Sequence, residues 1–533
     1  MTPARRLLLA SLAGALAALG FAPWELWPLT LAGIAALFCL IDTARTRRHA
    51  FALGWWFGIG HCLVGLSWIA TAFTYQAAMP PWLGWVAVGG LAMFLSLYTG
   101  LAALIAGSAA PPGPARLLVF AAAWMLTEWL RGHLLSGFAW NPLGEAWLPV
   151  PGLPQAAADV GALGLSGLMV LAGGALVLMP ARPTRLFGGG LTAALVVLAA
   201  GLAATTPSPR VAANAPLVHL IQPNIGQSNK WDPALENEHL ARYLRLSRVA
   251  VARSRRLPEA WDREPQTATA SPPQLIIWSE SSVPMLVDDD PPARAQLANV
   301  LRPGDLLLFG GVKLLRDPAS RADDPAGEVI AETNSLYVLS ADGVLRGRYD
   351  KSHLVPLGEY VPARPLMTRL GLAQLAPGAF DFRAGPGPRT LQLPGFPDAG
   401  AQICYEMIFP GEVVEAGKRP AWIVNISNDA WFGPSGPPQH LAQARLRAIE
   451  EGLPVARATP TGISAVIDAR GRIVRELGQG VAGIVTTPLP PPLPPTWFSR
   501  WAHWTTLVFG AALLAGAAAA RPKRRVGATA TAI

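Results

Sequence analysis

The sequence predicts a multi-span α-helical membrane domain of about eight helices joined to an α/β domain. Three observations carry this. Apolar runs long enough to cross a bilayer, which needs roughly 20 residues, crowd the first 204 residues, with one more at 501–520. Charged residues make up only 14% of the 533, against about 25% in an ordinary soluble domain. Between the apolar blocks lies a polar stretch whose apolar runs are short and β-branched, as buried strands are. The division expected is 1–210 for the N-terminal membrane domain, 211–490 for the α/β domain, and 491–533 for a connector, a last span and a basic tail.

The spans fall near 6–22, 27–42, 50–72, 83–109, 116–131, 158–180 and 184–204, with the eighth at 501–520. The first follows a basic start like that of a signal peptide, but further apolar spans succeed it at once, so it reads as an uncleaved helix. Tyr75 to Ala115 contains no charged residue. Ala and Gly abound, which lets helices approach closely in lipid. Trp24, Trp27, Trp82, Trp129, Trp497 and Trp501 sit near span ends, where an interfacial belt belongs. Arg5 and Arg6, then Arg45, Arg47 and Arg48, then Arg116, Arg182 and Arg185 mark alternate loops as cytoplasmic. Both termini then lie inside and the α/β domain outside. Few ionisable residues fall within the spans, only His61 and Glu128, which weighs against a transporter.

In the α/β domain, "LVHLIQ", "QLIIWSE", "DLLLFGG", "SLYVLS", "AQICYE", "AWIVNIS" and "ISAVID" read as strands. Helices are expected at 236–255, with Leu240, Tyr243, Leu244, Ser247 and Val251 on one face, and at 439–452. The polar stretches 257–274 and 316–328 read as variable surface loops, and "PLPPPLPPT" as a stiff connector. The net charge of +9 follows from loop topology. No basic stripe with interleaved aromatics suggests nucleic acid. No C-x-x-C or H-E-x-x-H suggests a metal, and no cofactor motif is present.

Three strand ends carry reactive groups: Glu280 in "IIWSESSVP", Lys351 and Glu359 in "DKSHLVPLGEYVP", and Cys404 in "ICYEMIFP". Each alone is weak, but together they form a base, a cation and a thiol. A thiol becomes a nucleophile only on losing its proton. A carboxylate can take that proton. A lysine, with a backbone N–H at a helix start after Cys404, can hold the oxyanion that follows. His353 and His440 leave a Cys–His arrangement open, although each has a blander use in capping or hydrogen bonding.

This Glu, Lys, Cys order resembles the nitrilase (carbon–nitrogen hydrolase) superfamily, and the chain is still more similar to the bacterial apolipoprotein N-acyltransferase family. The likeness runs through "FAPWELWP", "TEWLRG", "QPNIGQSNKWDP", "DKSHLVPLGEYVP", "ICYE", "NISNDAWFG" and "QHLAQARLRAIE". It implies a nitrilase-like α-β-β-α sandwich. It implies Glu280 as general base, Lys351 as oxyanion cation, Cys404 as acyl-carrying nucleophile and Glu359 as a supporting carboxylate. Trp231, Tyr405 and Glu406 match positions tied to substrate access or gating. The expected reaction moves an acyl chain from a phospholipid donor, through a thioester, to a diacylglyceryl lipoprotein acceptor at the lipid bilayer. Thr461 stands where the family pattern has Asn. A membrane-anchored amidase is the competing enzyme, distinguished by ammonia release without lipid.

Overall fold

The structure is a computed structural model that describes residues 2–75, 80–207, 209–212, 214–230, 232–254, 273–317, 329–369 and 381–521. Most of each of the loops expected at 316–328 and 257–274 lies outside the described residues, and Arg316 ends a strand. Seven helices and a short segment open the chain: α1 (Pro3–Ala18), α2 (Trp27–Asp42), α3 (Arg47–Gly65), the short α4 (Ile69–Ala72), α5 (Leu83–Ala109), α6 (Pro114–His133), α7 (Ala157–Leu178) and α8 (Arg185–Thr205). Proline at the first turn starts α1, α2 and α6, where its missing N–H costs nothing. Thr2 and Thr46 cap α1 and α3. The helices interlock through small residues: a Cβ on Gly14 would lie 1.9 Å from the Phe57 carbonyl oxygen, and one on Gly60 1.9 Å from that of Ser11. These two glycines allow the α1–α3 contact.

The expected count of about eight crossings is supported in part by length and composition. Among the described residues, three helical segments are long and apolar enough to cross a membrane: Leu83–Ala109, Leu153–Leu178 and Arg185–Thr205. A fourth is Arg47–Gly65 with Ile69–Tyr75, counted as one span bent by 51°. Trp27–Asp42 and the C-terminal His503–Ala519 are apolar but short. α1 opens on Arg5 and Arg6, and α6 carries Arg116, Glu128 and Arg131. Helices do form at all eight expected places, but length and charge qualify only half of them. Of the tryptophans expected in an interfacial belt, Trp82 is 64% and Trp497 62% exposed.

The second unit has two six-stranded sheets. Its strands are β1 (Leu217–Gln222), β2 (Gln274–Ile277), β3 (Leu306–Arg316), β4 (Val329–Ser340), β5 (Leu345–Asp350), β6 (Arg389–Leu391), β7 (Ala399–Ile403), β8 (Trp422–Ile426), β9 (Val455–Ala458), β10 (Ser464–Ile467), β11 (Ile473–Leu477) and β12 (Gly483–Pro488). One sheet runs β12-β1-β2-β3-β4-β5, the other β11-β10-β9-β8-β7-β6. β1, β2 and β3 are parallel, as are β7, β8 and β9. The helices are α9 (Gln227–Lys230), α10 (Glu236–Ser254), α11 (Pro291–Ala298), α12 (Arg364–Arg369) and α13 (Gly436–Glu451), followed by α14 (Trp497–Trp501) and α15 (His503–Ala519).

The layers follow from which residues share a core. Val218, Leu220, Leu275, Ile277 and Val338 of the first sheet meet Ala401, Ile403, Val424, Ile426 and Val466 of the second. The outer face of the first sheet packs Ile276 and Trp278 on Leu240, Tyr243 and Leu244 of α10. The outer face of the second packs Ile423, Val455 and Ile467 on Leu441, Ala444 and Ala448 of α13. This is an α-β-β-α sandwich. α13 also joins the membrane unit: its Ala442, Leu446 and Ile449 share the core of the helical bundle. Glu450 accepts from the Ala162 N–H at 2.6 Å, and Trp140 Nε1 donates to Gln439 at 2.8 Å.

Candidate active site

Three strand ends build the site. β7 ends at Ile403, and the chain turns at once into a 3-10 helix, Cys404–Ile408. Cys404 takes the left-handed backbone conformation, with φ of 50°. A non-glycine residue there is strained and is held by its surroundings. Glu406 supplies the hold. Its Oε2 accepts from the Ile403 N–H at 2.7 Å. Its Oε1 accepts from Tyr349 Oη at 2.6 Å, Ser352 N at 2.7 Å, Ser352 Oγ at 2.8 Å and His353 N at 3.1 Å. One buried carboxylate thus fastens the Cys404 turn to the loop that begins with Lys351. Burial still pushes the Glu406 pKa up against these donors.

Glu280 follows β2 in a turn where Ser281 has φ of 48°. The turn lies against β3 because residue 310 is glycine: a Cβ there would sit 2.5 Å from Ser281 N and 2.7 Å from Glu280 Cα. Gly310 carbonyl accepts from Ser282 and Val283 N–H in return. The Glu280 carboxylate is buried. Its Oε1 accepts from Asn334 Nδ2 at 2.7 Å and lies 3.5 Å from Lys351 Nζ. Among the described residues no donor reaches its other oxygen. That oxygen can receive a proton.

Lys351 leaves β5 and is buried between two carboxylates. Its Nζ donates to Glu359 Oε1 at 2.9 Å. Asn334 Nδ2 also donates to Glu359, at 3.0 Å, and Val355 N–H donates to Glu359 Oε2 at 2.7 Å. Burial disfavours the charge on Lys351, but Glu359 and then Glu280 outweigh it and hold its pKa above the usual lysine value. The Cys404 thiol is pushed up to about 12, by burial first and by Glu280 second, with Lys351 pulling down. At neutral pH the resting thiol therefore keeps its proton and needs a base.

His440 and His353, read as open alternatives from sequence, have other partners. His440 is fully buried; its Nε2 lies 3.1 Å from the Cys404 carbonyl oxygen and its Nδ1 3.0 Å from Asp429 Oδ1. The Nε2 proton is committed to that carbonyl, so it does not serve the sulfur. Cys404, Asp429 and His440 do offer ligand atoms within 4.8 Å of one another. A cation there would face the Arg457 guanidinium, which lies 2.5 Å from Asp429 Oδ2, so the donor set does not suit a metal. His353 stacks on Phe409 at 3.8 Å and bonds the Ser136 carbonyl at 2.9 Å. Asn425, in the "NIS" triplet, is buried on β8 and is bonded by Arg457. Tyr405 Oη donates to the Gly137 carbonyl at 3.1 Å, tying the Cys404 turn to the membrane unit. Trp231 lies outside the described residues.

Beside the site, a cavity of about 590 Å³ opens where the two units meet, lined among others by Ser136, Ser352, His353, Tyr360 and Glu412. It shares the Lys351 loop with the site but not Cys404 itself.

Comparisons with known proteins give the family. A family model described as carbon-nitrogen hydrolase matches residues 218–493, and one described as apolipoprotein N-acyltransferase N-terminal domain matches 13–175. An apolipoprotein N-acyltransferase of Rhodopseudomonas palustris is 37% identical over 515 residues, 93% of this chain and 91% of that protein. The chain belongs to the apolipoprotein N-acyltransferase family. A second relative of that name, from Bradyrhizobium diazoefficiens, is 38% identical over 510 residues, again 93% of this chain and 91% of its own. Among solved structures, a Nesterenkonia amidase of the nitrilase superfamily is similar at 17% identity, with a TM-score of 0.35 over 52% of this chain and 93% of its own. Family membership makes this an acyltransferase of the carbon–nitrogen hydrolase superfamily with apolar helices suited to a membrane.

Sequence reasoning passed over residues that the fold brings in, among them Asn334, which bonds both carboxylates, and Lys230. Lys230, in the "NKWDP" stretch, reaches the Glu280 turn with its ammonium. Nothing in its neighbours distinguishes it from a solvated surface lysine; only the fold does.

Proposed function

We propose that this protein moves a fatty acyl chain from a glycerophospholipid, through a thioester on Cys404, to the α-amino group of the diacylglyceryl-cysteine at a lipoprotein N-terminus. The observation that carries the reading is a strained cysteine whose thiol feels one carboxylate with an unbonded oxygen and one buried ammonium. The names of its relatives supply the acceptor class.

In the first half-reaction, the free oxygen of Glu280 takes the Cys404 proton and Sγ attacks the ester carbonyl carbon. The oxyanion meets Lys351 Nζ and the Tyr405 N–H at the start of the 3-10 turn. Collapse breaks the C–O ester bond. Glu280 returns its proton to the departing oxygen, and the lysophospholipid leaves. In the second, the acceptor amine attacks the thioester carbon and Glu280 takes its proton. The C–S bond breaks and the proton passes to Sγ. Glu359 keeps Lys351 charged throughout, and Glu406 and Tyr405 hold the turn. Trp231 is assigned to the substrate path.

A membrane anchor suits such a donor, since moving each CH₂ of a chain into water costs about 0.8 kcal/mol. We assign residues 1–210 and 491–533 to the bilayer with eight crossings in all, the short helices included, and 211–490 to the catalytic unit. The arginine-bearing loops put both termini in the cytoplasm and the catalytic unit on the periplasmic side of the inner membrane. Intact mass measurement of the purified protein tests the chemistry. One fatty acyl mass should appear on Cys404 after incubation with phospholipid, and Cys404→Ala should abolish it. Acylation that persists in Cys404→Ala overturns the reading.

A further inference from the structure

Lys230 closes α9, after β1. Its Nζ donates to the main-chain carbonyl of Glu280 at 3.1 Å. With the Asn428 amide turned so that its oxygen faces donors, that oxygen accepts from Lys230 Nζ and from Trp431 Nε1, each at 3.1 Å. Asn428 lies just past β8, the parallel neighbour of the strand that delivers Cys404. Lys230 therefore bridges the turn that carries the carboxylate and the strand end beside the thiol, from a chain segment unrelated to Lys351.

We propose that Lys230 is a second cation of the active site, a positioning residue that fixes the Glu280 turn through its carbonyl and favours the Cys404 thiolate. The proposal deepens the reading of Cys404 as nucleophile and rests on it.

Burial draws the pKa of Lys230 down to about 8, while Glu280 and Cys404 act to keep the ammonium charged. Coupling between two titrating groups is reciprocal. A thiolate that steadies the ammonium is steadied by it to the same degree. Below its pKa Lys230 lends this charge; above it the charge is gone. Lys351, held above the ordinary lysine value, keeps its charge over the whole range. The other charged groups facing the pair are Asp429, which raises the thiol pKa and is itself paired with Arg457 and His440, and His239, which lies near Lys230.

The test is alkylation of Cys404 by iodoacetamide across pH in the full-length protein, with Cys39→Ser and Cys62→Ala removing the other thiols. It needs no lipid, so it fails separately from the acyl-transfer reading. Lys230→Gln keeps donors for both carbonyl partners but drops the charge. One pKa unit of lost support makes it alkylate about tenfold more slowly near neutral pH, the deficit closing above roughly pH 9 as the parent lysine also loses its proton. Lys230→Arg, charged throughout, keeps the parent rate near neutral pH. Lys230→Gln at the parent rate overturns the proposal. So does a deficit that stays constant with pH, which marks a packing defect, or an arginine variant as slow as the glutamine one.

Discussion

On one side of Cys404, Asp429 is shared among Arg457, His440 and Ser427, and none of the Asp429, His440 and Arg457 side chains has any exposure. On the other side, Lys351 stands between Glu280 and Glu359, which keep 7% and 13% of their side-chain surface. The first network is closed: both Asp429 oxygens have donors, and its pKa is held well below the usual carboxylate value, burial being outweighed by Arg457 and His440. The second is open: it has one ammonium for two carboxylates, and Glu280 has an oxygen with no donor among the described residues. A closed network fixes shape. An open one leaves a proton somewhere to go. Charged groups of both act on the same sulfur, Glu280 and Lys351 from one and Asp429 from the other, and the difference separates support from chemistry.

The largest expected effect breaks the open side. Glu280→Gln removes the proton acceptor and should slow acyl-enzyme formation by roughly 10²–10⁴-fold, with the thermal midpoint little changed. Lys351→Met should cost on the order of 10²–10³-fold, the scale of losing one oxyanion donor. Single-turnover labelling with a phospholipid carrying a labelled acyl chain measures both. If either variant keeps full activity, the distinction between the sides fails.

The closed side should break the other way. Arg457→Met leaves the buried Asp429 without its guanidinium partner, which costs about 3–5 kcal/mol of stability, read as a lower thermal midpoint. The protein that remains folded should still acylate. The acid limb sharpens this. Asp429 has a depressed pKa in the fold, so its stabilisation is complete above its ordinary value of 3.8 and is lost as pH falls below that. Asp429→Asn should flatten that loss in acid unfolding profiles.

Smaller effects test the link between the sides. Glu406→Gln loosens the tie between the Cys404 turn and the Lys351 loop, and should lower the labelling rate by about tenfold, the equivalent of one weakened charged hydrogen bond, with apparent substrate affinity unchanged. Gly310→Ala should cost about 1–3 kcal/mol by pressing a methyl into the Glu280 turn, and the labelling rate should fall with it.

Local signals reached far into this molecule. Seven strands were legible as β-branched apolar runs because they are buried on both faces. β5, β6, β9, β11 and β12 were not; β5 and β11 are edge strands carrying arginines, Arg346 and Arg348 in one and Arg475 in the other, with one side open to water, while β9, although buried, is only the short run "VARA". The helix expected at 439–452 forms over Gly436–Glu451. In the fold, Gln439, Arg447 and Glu450 are buried against the membrane unit.

By itself, the sequence placed the apolar helical segments and the strand-rich stretch between them, and singled out Glu280, Lys351 and Cys404 as candidates. Hydrophobic length, alternation and short motifs are local properties of the chain. Tertiary structure decided what surrounds those groups: Glu406 bonding residues 54 positions away, Asn334 bonding Glu280 across the same separation, and Lys230 reaching a carbonyl 50 residues on. Such contacts exist only once distant strands are brought together, and burial, which sets the protonation of the site, exists only then.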